Sequence, residues 1–263
     1  PRVLKSLEEQ SRRTRQSAEV FTPAWICNKM NNHCDAEWFG CENVFNVEQE
    51  HKWIPTEDKI EFPAEKNWQD YVLSKRLEIT CGEAPYLVSR YDAASGEIIP
   101  IHNRIGILDR KLRIINENTQ THKTWNQWVY RAFESVYGYE LQGDSLLIAR
   151  GNLLETFCEY TRDRWGEEPS VSSLKRVAEI ISWNLWQMNG ITGTVPSVGT
   201  GWEQAAEIPQ QLSFFDMAED TDNREKAATK SAAKAPNAEY CKIKDWYTDE
   251  IITYSGMKRG GKL

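Results

Sequence analysis

Apolar and polar residues change their spacing several times along this chain of 263 residues, and each change marks an element. RLEIT, ending at Thr80, is a short run of β type stopped by Cys81-Gly82, and APYLVSRYD after it permits a helix. Past a turn at Ser95-Gly96, helical spacing covers 105–116 and 124–136, the latter with Trp125, Trp128, Val129 and Ala132 on one face. SVYGYEL reads as a second strand. It leads into a stretch where Leu146, Leu147, Leu153, Leu154, Phe157 and Cys158 recur at helical spacing over about five turns. A further helix over 170–181, with Ser170 as its cap, precedes NLWQM as a third strand. Strands alternating with helices predict a parallel sheet covered on both faces, an α/β domain over 75–200.

The flanks read differently. Arg2, Lys5, Arg12, Arg13 and Arg15 stand with Leu4 and Leu7 in a helix-compatible arm whose basic face suits solvent or a phosphate backbone. Thr22-Pro23, a cap candidate followed by proline at a first helical position, predicts a helix opening AWICNKM, so that 1–35 forms a helical arm. Residues 36–74 lack clean periodicity and predict an irregular insert with short strands. The stretch 216–238 holds almost no large apolar residue and predicts a flexible linker. YCKIKDWYTDEIITYS, over 240–255, alternates around a polar turn and predicts a β-hairpin within a tail of 239–263.

Composition narrows the class. A net charge of −7 argues against coating nucleic acid by bulk electrostatics, so any DNA contact is local. No apolar run reaches the roughly 18 to 20 residues that span a bilayer, and the charged N-terminal stretch lacks the apolar core of a signal peptide, so a cytoplasmic protein with reduced thiols is expected. Cys27, Cys34 and Cys41 recur every seven residues with His33 among them, a spacing that suits buried thiols better than a zinc site.

Two features suit a ligand lying beyond the carboxyl ends of parallel strands. In LEITCGEAPYL an acidic residue, Glu78, precedes a small-residue turn at Cys81-Gly82. In Gly138-Tyr139-Glu140 a second acidic residue ends a strand, where a carboxylate suits the two hydroxyls of a ribose. With Glu19-Val20-Phe21-Thr22-Pro23 ahead of them and IARGNLL behind, the set resembles the DNA N6-adenine methyltransferases that serve as modification subunits of restriction-modification systems. That family carries G-x-V-F-T-P, then acidic-Pro-x-Cys-Gly-x-Gly-x-Phe-Leu, then G-x-[Asp/Glu] leading into IARxNL, and the match covers roughly 11–195.

The resemblance implies a Rossmann-like, class I methyltransferase fold, S-adenosylmethionine as cofactor, and DNA containing a target adenine as partner. It places Phe21, Thr22 and Pro23 over the amino-acid end of the cofactor, Glu78, Cys81 and Gly82 along its methionine-ribose part, Glu140 on the ribose hydroxyls and Asn189 at the adenine amino group. No metal is required. This chain departs from the family at Ala18, Ile79 and Ala84, and Asn189 stands where the family has an acidic residue. The [Asp/Asn/Ser]-Pro-Pro-[Tyr/Phe] loop that holds the flipped adenine in the family is absent, since none of the ten prolines adjoins another. A modification enzyme completed by a second subunit and a non-catalytic cofactor-binding or scaffold chain, including an anti-restriction protein, both fit these residues.

Overall fold

The computed structural model describes residues 4–17, 21–196 and 239–254. The chain enters through α1 (Leu7–Ser17) and α2 (Ala24–Phe39), then forms an antiparallel hairpin of β1 (Asn46–Gln49) and β2 (Lys52–Pro55). A short α3 (Trp68–Leu73), started by a capping box between Asn67 and Asp70, delivers it to β3 (Arg76–Glu78). α4 (Ile107–Asn118) and α5 (His122–Glu134) carry it to β4 (Val136–Glu140), and α6 (Gly143–Trp165) and α7 (Val171–Asn184) to β5 (Leu185–Gln187). After the residues outside the described set comes a hairpin of β6 (Lys242–Asp245) and β7 (Glu250–Thr253).

β3, β4 and β5 form one parallel sheet in that order, so the fold is mixed α/β. β4 is buried along its whole length and divides two cores, because successive side chains point to opposite faces. Val136 packs with Leu185 in the cluster that also holds Leu112 of α4, Val129 of α5, Phe157 of α6 and Ile180 of α7. Tyr137 and Tyr139 join Trp186 and Met188 in a smaller cluster closed by Cys241 and Ile243 of the C-terminal hairpin. The second face is therefore sealed by the hairpin segment, which Lys75–Asp245 (3.0 Å) and Trp246 Nε1 donating to Asn184 Oδ1 (2.6 Å) fasten to the body.

The strands, the helices after residue 105 and the C-terminal hairpin lie where the spacing predicts them, and Ser170 caps α7 by accepting from Ser173 N at 3.2 Å. Three expectations are corrected. APYLVSRYD forms turns, because Glu78 accepts the backbone N–H groups of Tyr86 and Leu87 and holds them out of a helix. Thr22 is not the cap of α2: Pro23 occupies that position without a side-chain bond, and the Ala24 N–H donates to Asp92 Oδ2 at 2.8 Å. α2 continues to Phe39, into the stretch expected to be irregular. Its buried face is polar, with Asn28, Asn31 and Asp35 nearly inaccessible, so apolar periodicity does not reveal it.

These polar residues bind a buried arginine. Arg110 of α4 pairs with Asp35, donates through Nη2 to Asn28 Oδ1 (2.9 Å) and Asn32 Oδ1 (2.8 Å), and through Nε to Ile105 O (3.1 Å). Tyr71 Oη donates to the second oxygen of Asp35 at 2.8 Å. The network fixes α2 against the first turn of α4, and so fixes where residues 21–23 emerge. The expected linker over 216–238 lies outside the described residues, as do Ala18 and residues 197–200. Among the described residues, no helix is long and apolar enough to cross a membrane, and no cluster of His, Cys, Asp and Glu is arranged to hold a metal ion.

Candidate functional site

The carboxyl ends of β3 and β4 lie side by side, with Glu78 opposite Gly138 in register. Cys81 N donates to Tyr139 O (2.8 Å), which keeps the two segments together three residues past the end of β3. The turn then reverses under unusual backbone angles: Thr80, Gly82 and Ala84 all have positive φ, at 48°, 54° and 63°. Gly82 suits this region, whereas the two non-glycine residues are strained in it. Ala84, where the resembling family carries its second turn glycine, adopts the glycine-like conformation all the same. Gly138 lies close to the turn: a Cβ there would sit 3.2 Å from Cys81 Sγ, a tight contact that the Cys81 side chain would have to relieve.

Glu140 joins the turn to the second strand. Its Oε2 accepts from Gly82 N at 2.8 Å, and its Oε1 accepts from Leu141 N (2.8 Å) and Gln142 N (3.0 Å). A carboxylate offers about four acceptor positions, so one remains, on Oε2. The sequence suggests a carboxylate open to both hydroxyls of a ribose; the structure leaves room for one direct bond from it.

Glu78 is buried to the same degree as Glu140, both at 9% exposure. Its oxygens accept Tyr86 N at 3.4 Å and Leu87 N at 3.1 Å. Burial pushes its carboxyl up to about 8, the two backbone bonds oppose this, and the neighbouring Glu140 carboxylate adds to the rise. Cys81 is buried and its thiol is raised by the same desolvation, then by Glu78 and Glu140, so it is a neutral packing group and no nucleophile.

Residues 21–23 come to the same place. The Tyr86 hydroxyl, in the turn, interacts with the side chains of Thr22 and Cys27, and the Cys27 thiol is raised chiefly by burial and then by Glu78 and Asp92. Phe21-Thr22-Pro23, Glu78, Cys81, Gly82 and Glu140 are thus one constellation drawn from three separate parts of the chain. Asn189 lies close by, one residue after Met188, whose N–H donates to Glu140 O at 3.0 Å. Its Oδ1, the atom wanted for an adenine amino group, already accepts Ile191 N (3.0 Å) and Thr192 N (3.2 Å) in its own turn. Its side-chain acceptor is therefore committed to that turn.

Two groups escape a reading by spacing. Asp92 binds the start of α2 through Oδ2 and the turn amides of Ala94 and Ser95 through Oδ1, thereby tying residues 21–23 to the loop after β3. Asn152, within IARGNLL, donates to Glu83 O and to Tyr91 Oη, both at 3.0 Å, while Arg150 donates to Leu185 O at 2.7 Å. That segment is therefore a clamp between the turn and β5. Asn152→Ala is expected to lower stability by about 1–3 kcal/mol, because a buried carbonyl loses its donor; urea denaturation measures it, and a loss near zero would show the clamp to be idle.

Two cavities, of about 830 and 370 Å³, lie elsewhere, the first beside Trp53, Arg104 and Arg113 and the second beside Arg131, Arg176 and Trp246. Neither is lined by a residue of the constellation. No family model, curated protein or solved structure matches this chain.

Proposed function

We propose that the chain binds S-adenosylmethionine at this rim and is the cofactor-binding part of a DNA adenine-N6 methyltransferase of the restriction-modification kind, on a Rossmann-like methyltransferase fold. The observation that carries the reading is the convergence of three separate segments on one spot, with Glu140 bonded to Gly82 N at 2.8 Å. The bound cofactor would supply an electrophilic methyl group. The residues here bind and orient. Glu140 Oε2 accepts one ribose hydroxyl, Gly82 admits the ligand close to the backbone, and residues 21–23, tied down by Asp92, cover the amino-acid end. Holding the sulfonium in line with an acceptor is the main contribution such a site makes to the rate.

The chain has no Pro-Pro-aromatic loop to grip a flipped adenine, and this favours a second reading: a non-catalytic cofactor-binding or scaffold subunit that works beside a catalytic chain. Transfer of a tritiated methyl group to DNA separates the two. Incorporation by the purified chain supports an enzyme complete in itself. Incorporation only after a catalytic partner chain is added supports the subunit reading. Saturable binding of S-adenosylmethionine is expected in both cases, and its absence from folded protein would remove both.

A further inference from the structure

The larger cavity, of about 830 Å³, is walled by the β1–β2 hairpin, the segment before α4, α4 itself and the end of α6. Two of the side chains that border it each hold a buried polar atom with no partner in the protein: Nη1 of Arg104 and Oδ1 of Asp109. Both side chains are fixed through their other atoms. Arg104, whose side chain is 5% exposed, donates through Nη2 to Glu159 (2.6 Å) and through Nε to Ile99 O (3.3 Å). Asp109, at 1% exposure, accepts Ser89 N (2.8 Å) and the Ser89 hydroxyl (3.1 Å) on Oδ2 alone. Tyr160 lies beside both, its ring centre 5.9 Å from the Arg104 guanidinium and its hydroxyl donating to Asp109 O at 3.4 Å. Among the described residues with such unmatched atoms, these two alone border either cavity. A buried donor and a buried acceptor left unmatched are costly, so a ligand that brings one acceptor and one donor gains both bonds.

Size, charge and shape narrow the ligand. The volume is far beyond the ~10–15 Å³ that one bridging water needs. The walls set four arginines against four carboxyl side chains, which favours a neutral molecule over an ion. A flat ring is offered by Trp53, whose indole is held in orientation by Nε1 donating to Asn103 O at 2.7 Å. The Phe45 ring is already taken, with the guanidinium groups of Arg110 and Arg113 at 5.1 and 6.0 Å. We propose that this cavity is a second ligand site, for a nucleobase: the base stacks on Trp53, Arg104 Nη1 donates to an acceptor on its edge, and an exocyclic amino group donates to Asp109 Oδ1. Cytosine, guanine and adenine all carry an amino group beside an acceptor, and every base has a face that stacks on an aromatic ring. The inference stands apart from the cofactor reading, because the cavity shares no residue with the constellation at the strand ends.

NMR titration of the full chain, followed at the indole N–H signal of Trp53, tests this with cytidine, guanosine and ribose as probes. Loss of the signal in Trp53→Phe identifies it. Neither nucleoside contains the adenine of S-adenosylmethionine, so the cavity is read separately from the strand ends. The expected result is a saturable shift with a nucleoside at millimolar concentration and none with ribose. Asp109→Asn turns its oxygen to the Ser89 donors and sets an amide donor where the free acceptor stood, so nucleoside affinity is expected to fall by about tenfold or more. No saturable shift with either nucleoside, an equal response to ribose, or an Asp109→Asn variant that binds as tightly as the unsubstituted chain would each overturn the proposal. Should that variant fail to fold, Arg104→Lys keeps the charge beside Glu159 and withdraws the planar donor, and unchanged affinity there would overturn it equally. The comparison of nucleoside with ribose on the unsubstituted chain needs neither variant.

Discussion

Asp35→Ala is expected to destabilise the protein by about 3–5 kcal/mol, the largest loss of any single substitution considered. The residue is 1% exposed, and its partner Arg110 is 2% exposed. Removing the carboxylate strands a buried guanidinium without its counter-charge, and leaves the Tyr71 hydroxyl without its acceptor. Asn28 and Asn32 still accept from Arg110 Nη2, but neither neutralises its charge. Chemical denaturation monitored by tryptophan fluorescence measures the loss; a change under about 1 kcal/mol would mean that the pair adds little to stability. The consequence for function is positional. α2 leads out of residues 21–23, and a loosened α2 loses its fixed relation to the turn after β3.

Glu140→Ala is expected to weaken binding of S-adenosylmethionine by about 1–3 kcal/mol, or roughly five- to more than a hundred-fold. Two losses combine. One hydroxyl of the ligand loses its charged acceptor, and Gly82, Leu141 and Gln142 lose the carboxylate that holds their N–H groups in place. Glu140→Gln keeps one carbonyl oxygen and donates where Gly82 N also donates, so it is expected to fall between the alanine variant and the unsubstituted chain. An unchanged affinity in the alanine variant, with the fold retained, would show that Glu140 serves the turn alone.

Much of the sheet was legible because its strands sit between glycine punctuation and strongly periodic helices: β4 lies just before Gln142 and the long repeat of α6, and β5 just after α7. The placement of Glu78, Gly82 and Glu140 followed from reading those strands as parallel neighbours. What escaped was polar. α2 buries asparagines and an aspartate against Arg110, a pattern that apolar spacing does not register. The segment after Gly82 has helical spacing, yet Glu78 captures its amides and turns at Thr80 and Ala84 take positive φ, which no residue type there announces. Asp92 was invisible for a related reason: its partner, Ala24, lies 68 residues away and offers only a backbone N–H. The commitment of Asn189 Oδ1 to its own turn likewise depends on loop geometry that spacing does not encode.

A crystal structure of the chain with S-adenosylmethionine addresses the site most directly. Expected is a ligand on the rim of the sheet, with one ribose hydroxyl within hydrogen-bonding distance of Glu140 Oε2 and its amino-acid end under residues 21–23. A ligand found instead in the cavity of about 830 Å³ beside Trp53 and Arg104, with the rim empty, would contradict the assignment.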